Sequence, residues 1–229
     1  MTHKNPIQII YEDDALIIVN KRSGILSVPA PDAKEKDLGF LLNRQMQRDN
    51  ALPCHRLDKE TSGVIVFAKG RNNQQIIMDQ FRQRKIKKTY IAFVHGCIKR
   101  AKGVIKSNIQ GAWPYRRCQM SKLAVTNFKL IFSSDDFSVM RLEPVTGRTN
   151  QIRIQFRDYG HPLVGERRFV YAKDWPVKFK RAALHSYSIE INHPQSQERM
   201  KFCTPMPEDM KCFLKTHEIA NILINQFFL

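Results

Sequence analysis

The apolar positions divide the chain into short strands and amphipathic helices. Apolar runs at 7–11 and 15–20 flank Glu12-Asp13-Asp14 and predict two strands around a turn. Residues 36–48 place Leu38, Leu41, Leu42 and Met46 at helical spacing, whereas 29–36 hold two prolines and mixed charge and read as a loop. Val64-Ile65-Val66-Phe67-Ala68-Lys69 is an apolar strand, followed by a helix over 72–85 carrying Ile76, Ile77 and Phe81. Strands are predicted at 88–96, 125–133 and 137–143, with Asp135-Asp136 turning between the last two. Over 149–159, Ile152, Phe156 and Tyr159 form a buried helical stripe, Thr146 or Thr149 offers a cap, and Gly160 closes the helix before Pro162. A strand at 182–191 pairs with 199–204. A helical pattern with Met210, Phe213 and Leu214 follows Pro207, and the apolar tail past 219 calls for burial. Residues 101–124 show no clear period and read as irregular and basic. The mixture predicts an α+β protein.

Composition narrows the class. At 229 residues and 42% hydrophobic content the chain can bury a sizeable core. Lysine and arginine number 38 against 21 acids, a net charge of +17 that favours polyanions. No apolar run reaches the ~18 residues of a membrane span, and the start lacks a signal-peptide core, so neither membrane nor export is expected. Five cysteines, odd in number and without a Cys-x-x-Cys pair, argue against a disulfide framework or zinc ribbon. Each is read as a small buried hydrophobe in a reducing cytoplasm. The histidines form no His-x-x-x-His pair, so no metal is expected.

One stretch concentrates the chemistry: His55-Arg56-Leu57-Asp58-Lys59-Glu60-Thr61-Ser62-Gly63, a polar turn set directly before an apolar strand. A carboxylate on a loop held against a sheet is a common place for a nucleophile or base. An arbitrary Asp-x-x-Thr is ordinarily an Asx-type turn. A second stretch runs Gly147-Arg148-Thr149-Asn150-Gln151-Ile152-Arg153 into the predicted helix, where Arg153 lies beside the buried stripe. It can snorkel outward, or fork onto a carboxylate.

The string His-Arg-Leu-Asp-x-x-Thr-Ser-Gly resembles the signature of the RluA-type RNA pseudouridine synthases, most closely the compact subgroup without an added S4-type domain. The resemblance runs over about 7–206 and implies a single catalytic domain over 1–229, with 207–229 as a helical extension. It also implies a bent, mostly antiparallel sheet flanked by helices and crossed by an RNA-binding cleft. The expected activity is site-specific isomerisation of uridine to pseudouridine in structured RNA, a ribosomal or transfer RNA stem-loop, by base flipping. The resemblance makes Asp58 the catalytic carboxylate and Arg153 its partner. Tyr90, in the Lys-x-Tyr string that opens a strand, lies against the target uracil, and Leu184, before His185, lines the pocket beneath. Arg56 fills the space the flipped base leaves, a role weighed against an ordinary salt bridge on the loop. His55 and Arg148 complete the substrate-binding set. No cofactor is required, no obligatory protein partner is expected, and a cytoplasmic monomer is the simplest form. The chain departs from the family at Arg22, where proline is usual, and at Asn150 and Gln155, where histidines are common.

Several readings stay open on sequence. Arg82-Gln83-Arg84-Lys85-Ile86-Lys87-Lys88, with five basic residues of seven, is either a solvated helix end or a phosphate-binding edge. Further basic clusters at Lys99, Arg100, Lys102, Arg116, Arg117, Arg167, Arg168, Lys178, Lys180 and Arg181 favour the second. Trp113 among Pro114-Tyr115-Arg116-Arg117 either anchors a loop or stacks on unpaired bases. An RNA-binding protein without catalysis, and a glycosidase using two facing acids, are the competing functions.

Overall fold

The computed structural model describes residues 6–30, 35–110, 121–170 and 175–219. The predicted hairpin forms as β1 (Gln8–Glu12) and β2 (Leu16–Lys21), antiparallel and closed by Asp13, whose Oδ1 accepts the Ala15 and Leu16 amides. It is followed by α1 (Leu38–Met46), β3 (Ala51–Pro53), β4 (Ser62–Lys69), α2 (Arg71–Arg82) and β5 (Lys87–His95). Then come β6 (Lys102–Ile109), β7 (Lys122–Ser133), β8 (Phe137–Pro144), α3 (Gln151–Asp158), β9 (Leu184–Asn192), β10 (Arg199–Cys203) and α4 (Glu208–Thr216). Contacts divide the chain into two compact units, Met1–Lys88 with Ser186–Thr204 and Thr89–His185 with Pro205–Leu229.

In the first unit the strand order is β1-β2-β4-β9, with β3 on β4 and β10 on β9. β2 and β4 are buried along almost their whole length, as a continuous apolar run requires when both faces of a sheet are covered. Leu16, Ile18, Val64, Val66, Ile189 and Ile191 pack with Ile77 of α2. Leu38 and Leu42 of α1 are also buried. Asp37 caps α1 by accepting the Gly39 amide at 2.9 Å and that of Phe40 at 3.2 Å.

In the second unit β5, β8, β7 and β6 follow one another, each pair antiparallel. α3 lies on one face: Phe156 meets Phe128 edge-on, and Gln155, fully buried, donates to the Ile105 and Ala124 carbonyls and accepts from Thr126. α4 brings Phe213 against Phe93 and Phe137.

Several expectations are corrected. Residues 102–109, read as irregular, form β6; their buried apolar residues, Ile105 and Ile109, are four apart, which hides the strand period. α3 has no threonine cap: Asn150 stands at the cap position with φ 54°, and the Thr146 hydroxyl is bound to the Val125 amide and Gln151 instead. Tyr159 is 40% exposed at the end of the helix, outside the buried stripe. Of the described cysteines only Cys54 is buried, its thiol pushed up to about 12 by burial; Cys97, Cys203 and Cys212 are exposed. The basic clusters are not all free for phosphate. Arg181 is buried on Asp209, Arg82 pairs with Asp79, and burial lowers the Lys88 ammonium to about 8. The Trp113–Arg117 segment and the tail past 219 lie outside the described residues.

Candidate active site

The His55–Gly63 loop leaves β3 and returns as β4, and local hydrogen bonds hold its main chain on both sides of Asp58. Before it, the Ser27 hydroxyl donates to the Leu57 carbonyl at 2.8 Å and accepts the Leu57 amide at 3.0 Å. After it, the Lys59 carbonyl accepts the Gly24 amide at 2.8 Å and the Lys21 ammonium at 3.0 Å. Lys21 is fully buried and also donates to the Arg22 and Ile25 carbonyls at 3.0 and 2.7 Å, tying 21–25 and the loop into one body. The Thr61 amide closes the turn onto the Asp58 carbonyl at 3.0 Å. Gly63, at φ 112°, follows because no side chain fits: a Cβ there would stand 2.1 Å from the Ser186 carbonyl oxygen. The Asp58 residue is half-buried and Arg56 is exposed.

His55, expected among the substrate contacts, is engaged in the framework. Its Nε2 accepts the Val66 amide at 3.0 Å, which places the ring proton on Nδ1, and its ring lies 4.8 Å from that of Phe81. Burial, and then the neighbouring Lys88 charge, lower its pKa to about 3, so it is neutral at physiological pH.

The second unit carries Tyr90, Arg148, Arg153 and Leu184. Tyr90 is buried on β5 in register with Leu142, itself in register with Phe128, so Tyr90 shares the side of this sheet that α3 covers. Arg153 is buried on α3 and forks onto Glu166, Nε to Oε2 at 2.6 Å and Nη2 to Oε1 at 2.7 Å, while Nη1 donates to Asn150 Oδ1 at 3.1 Å. Burial alone would raise the Glu166 pKa. The Arg153 hydrogen bonds and charge, with the Arg168 and Phe169 amides, outweigh it and hold the carboxyl below its usual range. Glu166 is placed by Gly165, at φ 80°, where a Cβ would stand 2.0 Å from the Arg181 carbonyl oxygen. Leu184 is buried, and its carbonyl accepts from the Arg181 guanidinium, which Asp209 of α4 grips in turn. Arg148 is half-buried with Nε on the Leu123 carbonyl at 3.2 Å.

Sequence reasoning missed Lys21, Ser27 and Glu166. A lysine ending an apolar strand reads as solvent-facing, and Ser27 gives no signal at all. Glu166 had only the preceding glycine to mark it. Among the described residues no three histidines, cysteines or acids gather as a metal site, and no helix is long and apolar enough to cross a membrane.

Residues 15–158 match the family model described as RNA pseudouridylate synthase. The chain is 35% identical over 218 residues to the dual-specificity RNA pseudouridine synthase RluA of Escherichia coli K12, covering 90% of this chain and 98% of that one. It is likewise 35% identical over 222 residues to the uncharacterized RNA pseudouridine synthase YhcT of Bacillus subtilis, with 92% and 72% covered. Among solved structures, human RNA pseudouridylate synthase domain containing 4 superposes with a TM-score of 0.73 at 20% identity, covering 93% of this chain and 92% of that one. Human RNA pseudouridylate synthase domain containing 1 gives 0.70 at 23% identity, over 87% and 83%, and both show the same fold. A chain that matches the family model over residues 15–158 and these relatives over nine-tenths of its length belongs to the RNA pseudouridylate synthase family and isomerises uridine to pseudouridine in RNA.

Proposed function

We propose that the chain acts on uridines in ribosomal or transfer RNA stem-loops, with Asp58 as the reacting carboxylate and Arg153 as its counter-charge. The reaction breaks the C1′–N1 bond, turns the uracil, and joins C1′ to C5; N1 gains a proton and the C5 proton is lost to solvent. It needs an ionised carboxylate, whether that group attacks C1′, attacks C6 or takes a sugar proton. Withdrawal from water favours the protonated form of a carboxylate, and a nearby cation or hydrogen-bond donors restore the ionised one. The observation that carries the reading is the clamp of Lys21, Gly24 and Ser27 on the two residues flanking Asp58, which fixes the main chain that bears the carboxylate.

The guanidinium of Arg153 suits the role. Glu166 and Asn150 hold it through Nε, Nη2 and Nη1, so its planar, always-charged fork, of a shape that matches carboxylate oxygens, is fixed in place. Tyr90 would cover the uracil face and Leu184 back it, with Arg56 in the space left by the flipped nucleotide and Arg148 on the substrate's phosphates. Unstacking the target costs a few kcal/mol, about what one or two such contacts return. His55 serves by bolting the loop to β4. The departures from the family pattern have framework roles: Gln155 binds β6 and β7, and Asn150 binds Arg153. We further propose a cytoplasmic monomer.

Mapping pseudouridines in total RNA from cells with and without the gene tests this reading. Specific uridines should lose modification on deletion and regain it with the wild-type gene but not with Asp58→Asn. Restoration by Asp58→Asn would refute the role of Asp58.

A further inference from the structure

On the β6–β7–β8 sheet, the face opposite α3 carries exposed residues, Lys102, Val104, Lys106, Leu123 and Lys129 among those described. Alternation sets its residues: Gly103, Ile105, Ala124, Thr126 and Phe128 point inward, and a Cβ on Gly103 would stand 2.6 Å from the Phe128 ring. The neighbours of Gly103 and Phe128 therefore point outward, among them Lys102 and Lys129, both exposed.

The register makes this face unusual. Lys102 on β6 is directly opposite Lys129 on β7, and Lys129 is directly opposite Arg141 on β8. Three cations thus form one row across three adjacent strands, neighbours roughly 5 Å apart at Cβ. Like charges directly opposite one another destabilise a sheet. Lys106 adds a fourth cation on the same face, opposite Val125. Among the described residues the one carboxylate on this face is Glu143, which holds Arg141 at 3.0 Å, and neither Lys102 nor Lys129 has an ion-pair partner. Between Cys97 and Ser134 the sequence carries eight lysines and arginines and no acid. A surface kept only for solubility mixes its signs; this one accepts repulsion.

We propose that this outer face of β6–β8 is a second docking surface for RNA, gripping phosphates of a helix away from the nucleotide being isomerised. The inference rests on RNA being the partner of the chain and adds to it a place outside the side of the sheet that carries Tyr90 and α3. Three phosphate contacts in a row match the row of cations and relieve its repulsion, and each releases condensed counterions. Charge complementarity selects the occupant: a polyanion with closely spaced charges.

The test compares two synthetic RNAs by fluorescence anisotropy across a potassium chloride series: a 17-nucleotide stem-loop, and the same stem-loop extended by a 20-base-pair helix (roughly two turns, enough for phosphates to reach beyond the first docking face). Wild type should bind the extended RNA more tightly. Lys102→Glu with Lys129→Glu should weaken the extended RNA by tenfold or more and lower its log–log salt slope by about two, with a markedly smaller loss on the short one. Equal losses on both RNAs, or none on the extended RNA, would overturn the proposal. The milder Lys102→Gln with Lys129→Gln guards against misfolding. It should melt no lower than wild type, since repulsion is removed, and still weaken the extended RNA several-fold; a lower melting temperature would overturn the argument from repulsion. A wild-type chain that binds neither RNA would refute the RNA reading itself. One that binds both equally tightly refutes the second surface alone, and unchanged RNA affinity with lost affinity for polyglutamate would assign the face to an acidic protein.

Discussion

Replacing Lys21 with methionine tests the clamp. Methionine keeps most of the apolar stem and removes the ammonium, so three carbonyls, those of Arg22, Ile25 and Lys59, lose a donor at 2.7–3.0 Å. Hydrogen bonds to a charged group contribute about 1.5–3 kcal/mol each. Against their sum stands the relief of no longer burying an ammonium, which is worth several kcal/mol. A net loss of about 2–4 kcal/mol is expected, which lowers Tm by roughly 5–15 °C in a chain of this size. The local effect is more telling. Lys59 follows Asp58 directly, and after the substitution its carbonyl keeps only the Gly24 amide. The Ser27 bonds to Leu57 remain, so the carboxylate should drift by a fraction of an ångström rather than be lost. Misplacement by 1 Å can slow a reaction ~100-fold, so a fall in kcat of about 10-fold or more is expected, with KM for RNA little changed. Single-turnover isomerisation, measured well below the Tm of the variant, separates the two. A variant that melts and turns over like wild type would refute the clamp. A loss confined to KM would show that Lys21 serves RNA binding rather than Asp58.

Other outcomes follow from the same geometry. Glu166→Gln removes the buried charge that forks with Arg153 and should cost about 3–5 kcal/mol, read by urea denaturation; a loss under 1 kcal/mol would mean that the pair is not the anchor of Arg153. Because Glu166 is held below its ordinary 4.5, its share of the stability is complete above that value and drains as pH falls through the lower folded value. His55, lowered to about 3, and His95, lowered to about 4 by burial and then by Lys178, are neutral when folded, whereas the unfolded chain protonates them near 6.5. Stability from both should therefore be complete above pH 6.5 and fall on acidification, each group adding a slope of up to about 1.4 kcal/mol per pH unit; flat stability between pH 7 and 5 would contradict this. Gly63→Ala should be among the most damaging small substitutions, above about 3 kcal/mol, because the new Cβ meets the Ser186 carbonyl; a soluble variant with unchanged melting would refute the close approach.

How far the sequence was legible depended on how local each signal was. The strands around Asp13, the apolar run at β4 and the stripe of Ile152 and Phe156 carry their period within a few residues, and the structure forms them within two or three residues of expectation at most ends. β6 was missed because glycine and serine alternate with isoleucine on its inner face, so half of its period carries no apolar mark. The Asp58 turn could be read because all its residues lie together. The groups that hold it could not: Ser27 acts across 30 positions and Lys21 across 38. Glu166 was hidden for a different reason. It binds Arg153 from 13 residues away, beyond a helix end and a turn, where no pattern relates them. The substitutions at Asn150 and Gln155 looked like losses while only the family pattern was in view. Their hydrogen bonds show that polar side chains of similar reach do framework work there.

The most direct test of the account is tritium release from RNA labelled at C5 of uridine, under single-turnover conditions with enzyme in excess, comparing wild type with Asp58→Asn. The wild-type chain should release tritium and the variant should release none above background while binding the same RNA with near-normal affinity. Release at an undiminished rate by Asp58→Asn would contradict the assignment of the reaction to this carboxylate.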